Sequence, residues 1–151
     1  MLTKGQKKAL ETVAHNYIKN DPRNVMKQIF YTEKYIYATD SISAYRLNNE
    51  ENTVSLTVTP GAYPTSSIDF MIDWYHENDS FLQEFTPEPC KTIDGMKFCK
   101  IGQDYFDYKQ ISRAVRILGK NLLPYQRKER YRPLYLKSEK GEGIISPVRI
   151  Y

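Results

Sequence analysis

Two amphipathic stripes of helical period, set far apart in a chain otherwise cut into short β-like runs, restrict the possible folds more than any other feature. In the first, Thr3 and Gln6 have the form of a capping box, and Leu10, Val13, Ala14 and Tyr17 recur at helical spacing, which predicts a helix over about residues 4–19. Asn20-Asp21-Pro22 stops it, because proline disfavours helix at the residue before it. In the second, Asp107 and Gln110 mark a start, Tyr108, Ile111, Val115 and Leu118 form the stripe, and Gly119 supplies the stop. A helix apolar on one side must bury that side, and the material available here is β structure.

Residues 25–31, 35–39 and 44–48 read as strands joined by short antiparallel links, and residues 53–59 as a fourth strand ended by Pro60-Gly61. Asp94-Gly95 is a two-residue hairpin signal that sets Cys90 opposite Cys99 on a rung where side chains come close. In a cytoplasmic protein two facing reduced thiols are favoured over a disulfide. Residues 131–137 and 144–151 read as paired strands across the polar link 138–143, so the chain runs helix then strands, twice. Between these halves, residues 68–88 are acidic around Phe70, Met71, Ile72, Trp74 and Tyr75, which predicts a short amphipathic helix and a loop, insertion-like in character. Trp74 reads there as a packing anchor rather than a ligand-stacking ring. The expected class is α+β, one domain over residues 1–151, with two helices packed on one face of an antiparallel sheet built from two α-then-β-meander halves.

A chain of 151 residues buries about two thirds of its unfolded surface, so no disulfide framework or metal is needed to hold it. Thirteen tyrosines fit strands and half-wet surfaces. No apolar run is long enough to span a bilayer and no signal-peptide core follows Met1, so a soluble, cytoplasmic protein without membrane partners is expected. Net charge is unevenly spread: residues 1–88 carry eight Lys/Arg against twelve Asp/Glu, and residues 89–151 carry fourteen against six. That split is either ordinary surface variation or an electrostatic footprint for a phosphate backbone.

The helices sharpen the second possibility. Lys109, Arg113, Arg116 and Lys120 recur at steps of four, three and four, opposite the apolar stripe of the second helix. On the first, Lys4, Lys8, Glu11, His15 and Lys19 share a face with Lys7 beside it. Either face alone has the charge usual on a solvated helix. Both together on one side of a sheet would bind double-stranded DNA without reading its sequence, with affinity falling steeply in salt. Arg127, Lys128, Arg130 and Arg132 would extend that surface or form a solvated loop. No Ser/His/Asp order, glycine-rich phosphate loop or metal-ligand cluster stands out, so catalysis is the least favoured class and no cofactor is implied. Asp69 and Asp73 read as solvating an amphipathic helix.

Ala38-Thr39-Asp40, Arg46-Leu47, Ala62-Tyr63-Pro64, residues 106–118 and the closing Ser146-Pro147-Val148-Arg149-Ile150 together resemble one domain of the bacterial DNA sliding clamp of polymerase III. The likeness spans nearly the whole chain in short, degenerate motifs. It departs where Ser41-Ile42-Ser43-Ala44-Tyr45 replaces the family's tight glycine turn, and in the acidic segment and the Asp94-Gly95 hairpin, which look like additions. The resemblance implies a non-catalytic DNA-associated protein in replication. Since one domain cannot encircle DNA, it also implies self-association, of about six copies at the family's domain count. A lone domain of this kind would suit a phage or other mobile element. The resemblance further implies a groove for a replication-protein peptide bordered by Thr39, Arg46, Leu47 and Pro147, although those positions suit a turn and an edge strand equally. The alternative is an interaction module of the same fold that modulates a replication protein without binding DNA.

Overall fold

A computed structural model describes residues 2–16, 29–50, 65–77, 80–84, 86 and 88–149. The expected strand at 53–59, the Tyr63-Pro64 step, Lys19 and the start of the 25–31 run lie outside those residues. Helix α1 spans Lys4–His15, and its Thr3 hydroxyl and Gln6 side chain form the reciprocal capping box read from the sequence. A meander follows: β1 Phe30–Tyr31, β2 Tyr35–Thr39 and β3 Ser43–Asn48. After it come α2 Thr65–Glu77, the short β4 Phe81–Leu82, and a hairpin plus third strand, β5 Lys91–Ile93, β6 Met96–Ile101 and β7 Asp104–Asp107. Helix α3, Tyr108–Leu118, leads into a second meander of β8 Leu123–Gln126, β9 Leu134–Ser138 and β10 Gly141–Ile145.

The two meanders meet where β10 lies antiparallel to β3, giving one seven-stranded sheet in the order β1-β2-β3-β10-β9-β8-β4. The strands β5-β6-β7 form a separate small sheet. The class is therefore α+β with antiparallel sheets.

Strand alternation divides the large sheet into two faces. Ile36, Ala38, Tyr45, Leu47, Leu134, Leu136 and Ile145 point to one side, where Leu10 and Val13 of α1 and Ile111 and Ile117 of α3 cover them. The small sheet closes this core through Cys99, Ile101 and Phe106. Gln6 ties the two helices together, its amide nitrogen donating to the Ile117 carbonyl at 3.1 Å. Tyr37, Ala44, Tyr135 and Ile144 point to the other side, against Ile68, Ile72 and Tyr75 of α2. The short amphipathic helix expected in the acidic segment thus forms a second helical layer with a core of its own on the opposite face of the sheet, where the expected architecture had helices on one face alone.

The second meander is tighter than its glycines suggested. Its hairpin turns on Glu139-Lys140 alone, and Gly141 and Gly143 are strand residues. A Cβ at Gly141 would stand 2.5 Å from the Arg46 carbonyl oxygen, and one at Gly143 would stand 2.9 Å from the Tyr45 ring, so only glycine lets β10 seat against β3. The closing strand also ends earlier than expected. It stops at Ile145, after which Val148 bridges to Tyr105 and laces the chain end to the small sheet.

Candidate functional site

Helices α1 and α3 lie side by side, and burial of their apolar stripes fixes what they show outward. Lys4, Lys7, Lys8, Glu11 and His15 of α1 are exposed, as are Lys109 and Arg116 of α3 and Lys120 just past its end. Gly119, at φ 96°, ends α3 in a conformation that favours glycine, and the Asp107 carboxylate caps its start by accepting from the Lys109 amide at 2.9 Å. Among the described residues no ion pair engages Lys4, Lys7, Lys8, Lys109, Arg116 or Lys120. Three of these cations stand on α1, two on α3 and Lys120 just past its end, and Glu11 is an exposed acid among those on α1.

Arg113 is placed differently. It is largely covered, with a nitrogen 3.9 Å from the Asp40 carboxylate. Asp40 is the hub of the β2–β3 turn: one oxygen accepts from the Ile42 and Ser43 amides and the Ser43 hydroxyl, and the other accepts from the Gln110 side chain at 2.9 Å. The Thr39 hydroxyl donates to the Ser43 carbonyl at 2.8 Å, and Ser41 takes the left-handed conformation, φ 75°, at the tip. The Ala-Thr-Asp-Ser stretch is accordingly a locked turn that fastens the sheet to α3.

Of the residues assigned to a peptide groove, Thr39 and Pro147 stay near the same turn, since the Ser146 amide donates to the Ile42 carbonyl at 2.9 Å, while Leu47 and Arg46 point to opposite faces of the sheet. Thr39 is consumed in that turn, Leu47 is wholly buried under α1 and α3, and Pro147 is half-buried beside the Val148 bridge. Arg46 points to the opposite face, under α2. Its guanidinium donates to Asp69 at 2.9 Å, Asp73 at 3.1 Å and Glu142 at 3.0 Å, and it lies over the Tyr35 ring. Glu142 also accepts from the Tyr135 hydroxyl at 2.5 Å and stands 2.5 Å from the His76 ring, while Tyr37 donates to Asp69 at 2.8 Å. Asp69 therefore holds α2 to the sheet rather than merely solvating it, whereas Asp73 touches Arg46 but stays largely in solvent. Burial alone would lower the Arg46 guanidinium pKa, yet its bonds to Asp69 and Glu142 outweigh that and raise it. Burial opposes ionisation of Glu142, but donation from Tyr135, His76 and Arg46 prevails and holds its carboxyl below the usual carboxylate range. Tyr135 and Tyr37 are pushed up, first by burial and then by their carboxylate partners. Only a register placing Glu142 directly opposite Arg46 assembles this network, and that register is invisible in local periodicity.

The basic loop after α3 is divided, Arg127 reaching α2 and Arg130 reaching β7 of the small sheet. Arg127 stacks on Trp74 at 4.5 Å and pairs with Glu129, and Arg130 lies 3.5 Å from buried Asp104. Trp74 is part-buried and packs edge-on against Tyr75. Cys90 and Cys99 are free thiols, the first exposed and the second buried. Among the described residues no group of His, Cys, Asp and Glu could hold a metal ion, and no helix is long and apolar enough to cross a membrane. No family model, curated protein or solved structure matches the chain.

Proposed function

We propose that the α1/α3 face binds the phosphate backbone of duplex DNA without reading bases, and that the chain is a non-catalytic, clamp-like domain acting in replication of phage or mobile-element DNA through self-association. The observation that carries this reading is that Lys4, Lys7, Lys8, Lys109, Arg116 and Lys120, on or beside two helices packed against each other, are exposed and free of ion pairs among the described residues. Backbone binding needs no more than such a layer, because the free energy comes from released counterions and not from base contacts. The test is retention of duplex DNA across a salt series, with the mass of the protein followed in the same samples. If all six cations contact phosphate, log affinity should fall with log salt at a slope of about −5. Replacing Lys109, Arg116 and Lys120 by Glu should flatten that slope by roughly three units, whereas a slope unchanged by the triple substitution rules this face out. Arg113 is left untouched, since its contact with Asp40 makes it part of the turn.

A further inference from the structure

The α2 face carries a second surface of opposite design. Asp69 turns inward to Arg46, and the other flank of α2 shows Phe70, 72% exposed, and Met71. These two, with Trp74, Tyr75, Arg132, Pro133 and Ile144, line a cavity of about 200 Å³. That is below the range of roughly 300–1,000 Å³ typical of small-molecule sites, and suits one bulky side chain. Two cations border it: Arg132 lines it and is exposed with no ion pair among the described residues, and Arg127 lies over the Trp74 ring beside it. The Tyr75 hydroxyl is buried without a hydrogen-bond partner among the described residues, within electrostatic reach of Arg127, Arg132 and the Glu129 carboxylate. Base stacking is a poor match, because the Trp74 ring already carries the Arg127 guanidinium and Tyr75 is stacked on Tyr135 at 5.4 Å.

We infer that this cavity docks an acidic peptide segment of a partner protein, one large apolar side chain entering between Phe70, Met71 and Pro133 while a neighbouring carboxylate meets Arg132 and accepts from the Tyr75 hydroxyl. The inference is independent of DNA binding, since the two surfaces lie on opposite faces of the sheet.

The probe is a fluorescent octapeptide with a single Phe among Glu residues, followed by anisotropy on the full chain. Saturable binding is expected, weakened about tenfold when Phe is replaced by Ser, and by a similar factor in Met71→Glu and Arg132→Glu. Phe70→Ser serves as a further variant whose exposed position leaves folding intact, and DNA retention should be unchanged in all three. Equal binding of the Ser peptide, no saturable binding, or indifference to all three substitutions overturns the inference. So does displacement of the peptide by duplex DNA, or a dimer that Met71→Glu dissolves, which would make the patch a nucleic-acid or self-interface instead.

Discussion

Both faces of the seven-stranded sheet bury an apolar helical stripe, but the α2 face adds a charged cluster centred on Arg46, and each helix presents outward what it does not use inward. On the α1/α3 face the attachment is apolar: Leu10, Val13, Ile111 and Ile117 are wholly buried, each worth about 1.5–3 kcal/mol. The lysines and Arg116 are left for solvent, while Arg113 turns to Asp40. On the α2 face three carboxylates close on one guanidinium, so Asp69, which would solvate an ordinary surface helix, is spent on attachment, and Phe70 and Met71 are left outside. One sheet thereby carries a polycationic surface and an apolar, basic-rimmed one, suited to different partners.

The largest effect should come from removing the centre of the charged attachment. Arg46→Met leaves Asp69 and Glu142 buried or half-buried without their cation, and breaking such a pair costs about 3–5 kcal/mol. Asp73, 58% exposed in its side chain, adds little. For a chain of this size the melting temperature should fall by roughly 6–20 °C. Adding Asp69→Asn and Glu142→Gln to Arg46→Met should recover much of that loss, because the cost lies in unpaired charge and not in lost volume. Thermal melts of the single and triple variants decide it: equal destabilisation would mean that α2, like α1 and α3, is held by its apolar contacts.

Acid should loosen one face before the other. Glu142 is held below the usual carboxylate range, so its folded-state pKa lies under the unfolded value of about 4.3. A depressed carboxyl contributes stability that is complete above the unfolded value and is lost as pH falls through the folded one. Trp74, the sole tryptophan, sits in α2 and reports on that face. Its fluorescence should change below about pH 4, and Glu142→Gln should reduce that acid dependence while lowering stability at neutral pH. Superimposable acid titrations of the two proteins would remove Glu142 from the attachment.

The contrast between the faces also explains what could be read from the chain. Helices α1 and α3 announce themselves because apolar attachment writes a 3.6-residue period and because Thr3, Gln6, Asp107 and Gly119 are local cap signals. Helix α2 is only half legible. Ile68, Ile72 and Tyr75 give a narrow stripe, and its anchoring Asp69 looks like a solvent-facing residue until Arg46 and Glu142 are known to be cross-strand partners, 96 residues apart in sequence. Gly141 and Gly143 misled for a related reason. Glycine reads as loop, but here it answers to the Arg46 backbone and the Tyr45 ring on a strand distant in sequence. The basic residues were found by their spacing, yet spacing could not show that Arg113 turns to Asp40, nor that Arg127 and Arg132 belong with α2.

The smallest effect concerns a thiol that acid should leave undisturbed. Cys99 is wholly buried in the α1/α3 core, and burial pushes its thiol up to about 11, whereas Cys90 is exposed on the same hairpin. With 4,4′-dithiodipyridine, which reacts at acid as well as neutral pH, Cys90 should be modified promptly and Cys99 only as the fold opens. If the faces come apart separately, there is an acid range in which Trp74 fluorescence has changed while Cys99 stays as protected as at neutral pH. Arg46→Met should widen that range toward neutral pH without speeding Cys99 modification within it. A Cys99 rate that rises in step with the Trp74 signal would show that the charged attachment and the apolar core open as one cooperative unit.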